Sequence, residues 1–421
     1  SISNNNQIDF VKAFAALTGH RPFPWQEELF RRLTAGEVIT ACSIPTGLGK
    51  TAVIAVWLLA LASYAKAKGT SPRIPRRLVY VVNRRTVVDQ STTEAERMRA
   101  RLEGEGDLSD EDRTILRELA ELLARLCAAQ SDHVLAISTL RGQFADNREW
   151  SADPARPAVI CGTVDMIGSR LLFGGYRLGF KSRPLHAGFL GQDALLVHDE
   201  AHLEPAFQEL IENIEREQVE RERTGELPWP KLQVIALSAT GRNNGLDTAC
   251  TLKLGKADRK HSEIRKRIRA KKSLHLQPCD DEKTQLADKL ADLALAHRED
   301  GATTLVFVRT VDEAMNVLAR LEKAQPKHVA ALTGTMRGYE RDELVKSNPV
   351  FARFLPSSER PEHVSPSDGA VYLVCTSAGE VGINISADHL VCDLSTLDSM
   401  AQRFGRVNRF GACTNTRIDV V

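Results

Sequence analysis

The sequence has no excess of charge of either sign. Its 56 lysines and arginines nearly match its 55 aspartates and glutamates, so the formal net charge is +1. This balance gives no global indication of nucleic-acid or membrane binding, although acidic residues elsewhere can offset a basic groove. With 43% hydrophobic and 26% charged residues, the composition is that of an ordinary globular protein. A chain of 421 residues can form two or three domains, each with a full core.

Closely spaced cysteine pairs and membrane-length apolar runs are also missing. None of the eight cysteines belongs to a CxxC motif, and several lie in apolar stretches where a small buried thiol is common. This usage predicts a reducing, cytoplasmic location and no zinc site. No signal peptide is visible, and the apolar stretch at residues 51–62 is shorter than the roughly 20 residues of a transmembrane helix. We therefore expect no membrane partner.

What the sequence does contain is a strand–loop–helix pattern around IPTGLGKT, residues 44–51. Residues 38–43 predict a buried strand before the loop and residues 51–62 predict a helix after it, which is the context of a phosphate-binding loop. The Walker pattern has a small residue where Ile44 stands, but that position belongs to the end of the strand. Taken alone, the motif is also compatible with a chance match in an ordinary βα turn.

The loop residues have the chemistry that a nucleoside triphosphate requires. Gly47 and Gly49 can take turn conformations that bring the backbone close to an anion. Lys50 can reach the β- and γ-phosphates, and the Thr51 hydroxyl can ligate Mg²⁺. The N-terminus of the following helix adds partial positive charge. The amide of Gln26, which precedes the loop, can read an adenine edge, or it can simply lie at a helix N-terminus beside a buried tryptophan.

A second motif, DEAH at residues 199–202, ends an apolar strand-like run. Besides a phosphate loop, ATP hydrolysis needs a metal ligand and a group that positions water. We therefore predict that Asp199 serves Mg²⁺ and that Glu200 orients or deprotonates the water. The alternatives are a solvated acidic turn and, because His198 precedes Asp199, a metal-dependent nuclease dyad. We reject the dyad because no further histidines and aspartates are arranged for it.

Three arginines near the end of the chain, Arg403, Arg406 and Arg409, recur every three residues. A run of arginines usually lies on a solvated surface, but strict spacing beside two glycines is not typical of such a surface. Arginines supplied by a second domain can stabilise the charge of a phosphoryl-transfer transition state. The pattern therefore predicts arginine fingers.

Strands alternate with helices along the chain and polar motifs follow the strands, which predicts α/β domains with open parallel sheets. The alternation stops at a basic stretch and then restarts. We therefore predict a first domain over residues 1–255, a linker over residues 256–272 and a second domain over residues 273–421. The basic stretch can follow a nucleic-acid groove or form a solvated charged helix. The acidic segment 103–126 is predicted to be a surface insertion whose amphipathic helix begins with a capping box.

The motifs PFPWQ, PTGLGKT, DEAH, SAT, SAGEVGINI and QRFGRVNR together resemble those of superfamily-two helicases and extend over both domains. Within that superfamily the chain resembles the CRISPR-associated helicase-nuclease of type I interference systems. The motifs that carry this closer resemblance are NRRTVVDQ, TLRG, GTVDM, GEVGINI and GRVNR. Related RNA helicases more often have a second glycine where GRVNR has Asn408.

The resemblance implies two tandem RecA-like parallel-sheet domains with an ATP cleft between them. It also implies an ATP- and Mg²⁺-dependent translocase on single-stranded DNA, moving 3′ to 5′, that unwinds target DNA in type I CRISPR antiviral interference. Its partners would be single-stranded DNA and a guide-RNA surveillance complex with its R-loop, and we expect a monomer. The family's nuclease domain is not found here, so we expect a motor core. The alternatives are an RNA or DNA-repair helicase outside CRISPR, or an ATP-gated DNA clamp, which would not need the hydrolytic residues.

By the same resemblance, four groups of residues form the site. The nucleotide would contact Gln26, Thr46, Gly47, Leu48, Gly49, Lys50, Thr51, Gly379 and Glu380. The catalytic residues would be Lys50, Asp199, Glu200, Arg406 and Arg409, with Thr51 and Asp199 as Mg²⁺ ligands. The residues that contact single-strand phosphates would be Arg84, Arg141, Thr163, Arg337 and Thr376. The residues that couple ATP to the strand would be Ser238, Thr240, His202 and Gln402.

Overall fold

The structure is a computed structural model. It describes residues 8–68, 70–83, 85–128, 132–140, 149–175, 178–227, 229–238, 250–280, 282–298, 301–336, 338–380 and 384–421. The chain divides into two compact units, unit 1 (Ser1–His261) and unit 2 (Ser262–Val421).

Unit 1 is built on a seven-stranded sheet. Its strands are β1 (Ala41–Ser43), β2 (Arg77–Val82), β3 (Ala136–Leu140), β4 (Ala158–Thr163), β5 (Ala194–Asp199), β6 (Leu232–Ser238) and β7 (Thr251–Lys253). They lie in the order β3-β4-β2-β5-β6-β1-β7, with every neighbouring pair parallel. The helices of this unit are α1 (Phe10–Thr18), α2 (Pro24–Ala35), α3 (Val53–Lys66), α4 (Arg85–Leu102), α5 (Asp110–Ala124), α6 (Glu149–Ala152), α7 (Val164–Leu171), α8 (Arg183–Gly191), α9 (Pro205–Arg223) and α10 (Lys256–Lys260).

Unit 2 has a six-stranded sheet. Its strands are β8 (Ser273–Leu276), β9 (Thr303–Phe307), β10 (Val329–Leu332), β11 (Val371–Cys375), β12 (His389–Cys392) and β13 (Arg417–Val420). The order is β10-β11-β9-β12-β13-β8, and all pairs are again parallel. The helices are α11 (Ser262–Ile268), α12 (Glu282–Leu295), α13 (Val311–Ala324), α14 (Gly338–Ser347), α15 (Pro349–Ala352) and α16 (Leu397–Phe404). The predicted α/β class with two parallel sheets is therefore confirmed.

The central strands are buried on both faces, which explains their nearly continuous apolar sequences. All six residues of β2 and all five of β11 are buried. In unit 1, Ser43 of β1 pairs with Ser238 of β6, and Asp199 of β5 pairs with Leu237 of the same strand. The carboxyl ends of β1, β5 and β6 therefore meet at one edge of the sheet. Ligands of open parallel sheets bind at this edge.

Several element boundaries differ from the prediction. The strand expected over residues 38–43 is only β1, and Val38 is 68% exposed. The short strand β7 was not predicted. The acidic segment is more than a surface insertion, because α5 buries a leucine face against α1, α3 and α4. Sequence periodicity located that face but did not indicate what covers it.

The basic stretch is helical in both units, with α10 in unit 1 and α11 in unit 2. In unit 1, the Asp258 carboxylate of α10 accepts a hydrogen bond from the Trp25 backbone N–H at 2.8 Å and one from Gly255 at 2.9 Å. It therefore caps the start of α2. All eight cysteines are free thiols. Among the helices in the described ranges, none combines the length and apolarity needed to cross a bilayer.

Candidate nucleotide site and the residues around it

The loop between β1 and α3 has the shape of an anion cradle. Gly47 and Gly49 have φ angles of 81° and 72°, in the left-handed region that glycine adopts without a steric penalty. The loop is anchored from below, because Ile44 and Leu48 are 0% and 1% exposed. Trp25 fixes it further by donating its indole N–H to the Leu48 carbonyl at 3.1 Å. Because its side chain is buried, Leu48 can contact a ligand only through its backbone.

Gln26 holds the same loop from its other side. Its Oε1 accepts a hydrogen bond from the Phe23 N–H at 2.8 Å, and its Nε2 lies 3.4 Å from the Gly49 carbonyl. The residue is 3% exposed. Both ends of the amide have partners within unit 1, and the adenine contact stays a prediction.

Lys50 joins the loop to the end of β5. Its ammonium lies 2.6 Å from Glu200 Oε1 and 3.7 Å from Asp199 Oδ1. The three side chains are only 9–13% exposed, so little solvent screens the charges. The structure thus brings Lys50 together with Asp199 and Glu200, two predicted catalytic residues that lie about 150 positions further along the sequence.

Glu200 is held in an unusual conformation. Its φ of 53° places a residue with a side chain in the left-handed region, which is a cost that functional sites often bear. Its second carboxylate oxygen, Oε2, is buried and has no hydrogen-bond partner among the residues that the structure describes, and His202 Nδ1 lies 3.6 Å away. The same His202 nitrogen lies 3.5 Å from the Ser238 hydroxyl at the end of β6. Two of the predicted coupling residues are therefore adjacent to the carboxylate predicted to position water.

Asp199 is fixed at both oxygens. Oδ2 accepts a hydrogen bond from the Tyr80 hydroxyl at 2.9 Å, and Oδ1 accepts one from the Glu200 N–H at 3.0 Å. Burial, and next the Asp199 charge, raise the pKa of Tyr80 well above its ordinary value, so the phenol keeps its proton and donates. The sequence analysis missed Tyr80, although a lone tyrosine in the aliphatic strand RLVYVV was a signal.

We expect Tyr80→Phe to weaken Mg²⁺-dependent nucleotide binding by about 10-fold or more, the usual cost of removing a partner that orients a metal ligand. Calorimetric titration of the protein with a non-hydrolysable ATP analogue at several Mg²⁺ concentrations measures the effect. The control is Tyr372→Phe in β11, because the buried Tyr372 hydroxyl has no hydrogen-bond partner within the described part of the chain. Equal Mg²⁺ dependence in the two variants contradicts the role of Tyr80.

His198 packs inside unit 1. It is 0% exposed, its Nδ1 lies 2.7 Å from Gln208 Oε1, and its ring meets the Phe207 ring edge-on. Burial lowers the pKa of His198, so the ring is neutral near pH 7. Within the described ranges, no group of three or more His, Cys, Asp or Glu side chains is arranged to hold a metal ion.

In unit 2 the three regularly spaced arginines have different surroundings. Arg403 is 1% exposed and donates to Glu380 Oε1 and to Asp393 Oδ1, both at 2.9 Å. Arg406 donates through Nε and Nη2 to the Glu380 carbonyl at 3.1 and 3.0 Å. Arg409 donates to Asn384 Oδ1 at 2.8 Å. Arg403 is therefore part of the core, whereas the finger roles of Arg406 and Arg409 stay predictions.

Asn408 stands in the left-handed region with φ of 45°. Asparagine tolerates this region better than other residues with a side chain, and glycine tolerates it best. Its amide also closes the following turn, donating to the Cys413 carbonyl at 2.7 Å and accepting from the Cys413 N–H at 3.0 Å. The backbone conformation thus explains why glycine and asparagine can alternate at this position.

The predicted nucleotide-contacting residues of unit 2 are buried. Glu380 is 1% exposed, with its carboxylate bound to Arg403 and to the Ser399 hydroxyl at 3.2 Å. A Cβ on Gly379 would lie 2.7 Å from Cys375 Sγ, so close packing requires glycine there. Their contacts with nucleotide stay predictions.

The remaining predicted site residues lie at strand ends or outside the described ranges. Thr163 is the last residue of β4, Thr376 directly follows β11, and both are buried. Thr376 accepts a hydrogen bond from the Gly334 N–H at 3.1 Å. Gln402 is half-buried on α16. The residues outside the described ranges are Arg84, Arg141, Thr240 and Arg337.

Comparison with known proteins agrees with this geometry. Residues 300–412 match the family described as CRISPR-associated nuclease/helicase Cas3, C-terminal. Cas3 from T. fusca with AMPPNP shares the fold with a TM-score of 0.58 and 17% identity, over 97% of this chain and 47% of that one. The DUF1998 helicase MrfA bound to DNA has a TM-score of 0.61 and 16% identity, over 99% of this chain and 48% of that one. S. cerevisiae Dbp5 bound to RNA and ADP BeF3 has a TM-score of 0.53 and 20% identity, over 99% of this chain and 88% of that one.

At these identities the similar structures establish the fold. The chain spans about half the length of the Cas3 and MrfA chains that it matches. No curated protein sequence matches it significantly. The match at residues 300–412 makes this part of unit 2 similar to the C-terminal region of Cas3, and the shared fold extends over both units.

Proposed function

We propose that the chain is an ATP-dependent translocase that moves along single-stranded DNA. The observation that carries this proposal is the contact of Lys50 with Glu200 and Asp199 at the end of β5. It places a phosphate-binding cation, a metal-binding carboxylate and a second carboxylate beside one glycine-bearing loop. Those are the parts that hydrolysis of a nucleoside triphosphate requires.

The residues present fit Mg²⁺ bound together with ATP. Thr51 and Asp199 would hold the ion, and the phosphates would complete its shell, as is usual for this cation. Bound Mg²⁺ would neutralise charge on the β- and γ-phosphates. The Tyr80 O–H and the Glu200 N–H keep Asp199 oriented, so this carboxylate need not be ordered when the nucleotide arrives.

Lys50 and Glu200 then exchange partners. The phosphates attract the Lys50 ammonium away from Glu200, and the released carboxylate can orient water and accept its proton. The ion pair between Lys50 and Glu200 neutralises both side chains, which limits the cost of burying them. Binding of ATP therefore activates the residue that hydrolyses it.

The finer assignment rests on the Cas3-type match in unit 2. We propose that the strand is DNA and that the motor acts in type I CRISPR interference, at the R-loop of a guide-RNA surveillance complex. Thr163 and Thr376, together with Arg84, Arg141 and Arg337, would contact its phosphates. Backbone contacts suit a translocase, since they repeat along any sequence.

Steady-state ATPase assays test this function directly. We expect single-stranded DNA to stimulate turnover at least several-fold over the basal rate, and single-stranded RNA of the same sequence to stimulate it less. A DNA with an R-loop held by a surveillance complex should stimulate it most. Stimulation by RNA alone would instead favour an RNA helicase, and absence of any stimulation would contradict the translocase.

A further inference from the structure

The basic stretch of the sequence forms one wall of an open depression in unit 2. The depression has a volume of about 460 Å³. Arg265 and Lys266 of α11, followed by Arg269 and Lys271, line this wall. The opposite wall is the turn at residues 411–414, with the Thr414 side chain among its lining groups.

The four cations of this depression lack acidic partners. All four are exposed, and among the residues that the structure describes none of their side chains forms an ion pair or a hydrogen bond. Arg31, by contrast, is an exposed arginine paired with Glu28 and Glu37 at 2.8 and 2.7 Å. Four uncompensated charges on one concave surface produce a positive potential that attracts an anion.

Close packing fixes the two walls against each other. Gly411 has φ of 67°, and a Cβ there would lie 2.4 Å from the Lys266 carbonyl oxygen, so the turn approaches α11 as only glycine permits. Beside this contact the Arg267 guanidinium stacks over the Phe410 ring, 5.4 Å from its centroid. The depression therefore belongs to the packed structure of unit 2 and is more than a row of charges on a solvated helix.

The depression lies at the amino ends of the strands, whereas Thr376, a predicted DNA contact of unit 2, lies at a carboxyl end. Lys271 precedes β8 and Thr414 precedes β13, which is parallel to it, so both lie at amino ends of strands. Thr376 follows β11 and lies at a carboxyl end. A ligand in the depression would therefore not occupy the predicted path of the DNA.

We propose that this depression binds the phosphodiester backbone of single-stranded DNA, at a second site outside the motor's own contacts. Arginine and lysine are the side chains that bind phosphates, arginine often through two hydrogen bonds. None of the described residues that line the depression is aromatic, so this lining offers no ring on which a base could stack. Recognition is then independent of sequence, as a moving enzyme requires. This inference rests on the proposed function.

The test compares two double variants of the full chain. Arg265→Ala with Arg269→Ala removes two cations of the depression, and Lys323→Ala with Lys346→Ala removes two exposed cations from α13 and α14 of the same unit. Binding of two unrelated oligonucleotides is measured across a salt series. We expect the first variant alone to lower the slope of log K against log salt by about 1.4, from roughly 0.7 for each lost single-strand contact. The loss should be equal for both sequences, with basal ATPase and thermal unfolding unchanged.

Each other outcome overturns the inference. An unchanged slope in a protein whose ATPase is still stimulated by DNA refutes the second site and leaves the proposed function standing. A wild-type protein that neither binds DNA nor responds to it refutes both. If the first variant loses affinity only for a polyglutamate peptide, the depression serves an acidic protein partner instead.

Discussion

Replacing Glu200 with glutamine is expected to lower ATPase turnover by about 10²-fold or more while ATP still binds, because general bases contribute about 10²- to 10⁴-fold. Glutamine has nearly the same shape, but its amide cannot accept a proton from water. It also removes the negative charge that lies 2.6 Å from the Lys50 ammonium. Lys50 then has no anionic competitor at that position, so we expect ATP affinity equal to or higher than that of the wild type.

The opposite substitution, Lys50→Ala, should lose both binding and turnover. It removes the cation that the phosphates attract and leaves two carboxylates of low exposure, Asp199 and Glu200, without it. Turnover is measured at saturating ATP, and affinity with a fluorescent ATP analogue. The control is Glu209→Gln on the exposed side of α9, which should match the wild type in both assays. Wild-type turnover by Glu200→Gln would show that another group positions the water.

The phosphate loop could be predicted from the sequence because its determinants are local. The strand, two glycines, the lysine and the helix all lie within residues 41–66, and their order alone indicates the chemistry. The carboxyl end of β5 was predictable for the same reason, since DEAH directly follows an apolar strand.

The lone tyrosine of RLVYVV is visible in the sequence, but the role of Tyr80 could not be predicted because it depends on strand order. It contacts Asp199 only because β2 lies beside β5 in the sheet, with Tyr80 paired to Val197. Nothing in either segment indicates that neighbour. The capping of α2 by Asp258 depends in the same way on where a distant segment packs, so the sequence predicted a charged linker there.

The arginine triplet shows a second kind of limit. Arg403, Arg406 and Arg409 are equally spaced in the sequence, but the structure buries them to different extents. Arg403 points into the core beneath Phe307, whose ring centroid lies 5.3 Å from its guanidinium carbon. Arg406 is half-buried and donates two hydrogen bonds to the main-chain carbonyl of Glu380. Only the tertiary structure distinguishes a structural arginine from a candidate finger.

This difference predicts a large stability effect for one arginine alone. Arg403→Ala should destabilise unit 2 by about 3–5 kcal/mol, the usual cost of removing one partner from a buried ion pair. Burial opposes the charge on Arg403, but its hydrogen bonds to Asp393 and Glu380 outweigh this and raise its pKa, so the guanidinium is charged at every relevant pH. Arg406→Ala removes hydrogen bonds to a carbonyl and should cost about 1 kcal/mol, while lowering turnover about 10³-fold if it is a finger.

In urea unfolding, tryptophan fluorescence reports on unit 1, because the four tryptophans all lie there: Trp25, Trp57, Trp150 and Trp229. The two arginines lie in unit 2 and need a separate measurement. Hydrogen exchange of β9, β11 and β12 reports on unit 2, and its protection should fall in Arg403→Ala and persist in Arg406→Ala. Adding Glu380→Gln to an Arg403→Met variant neutralises one of the abandoned carboxylates, so it should restore part of the protection. If it restores none, the loss comes from packing around the guanidinium stem and the charge argument fails. If Arg406→Ala loses as much protection as Arg403→Ala, the two arginines share a structural role and the finger prediction loses its basis.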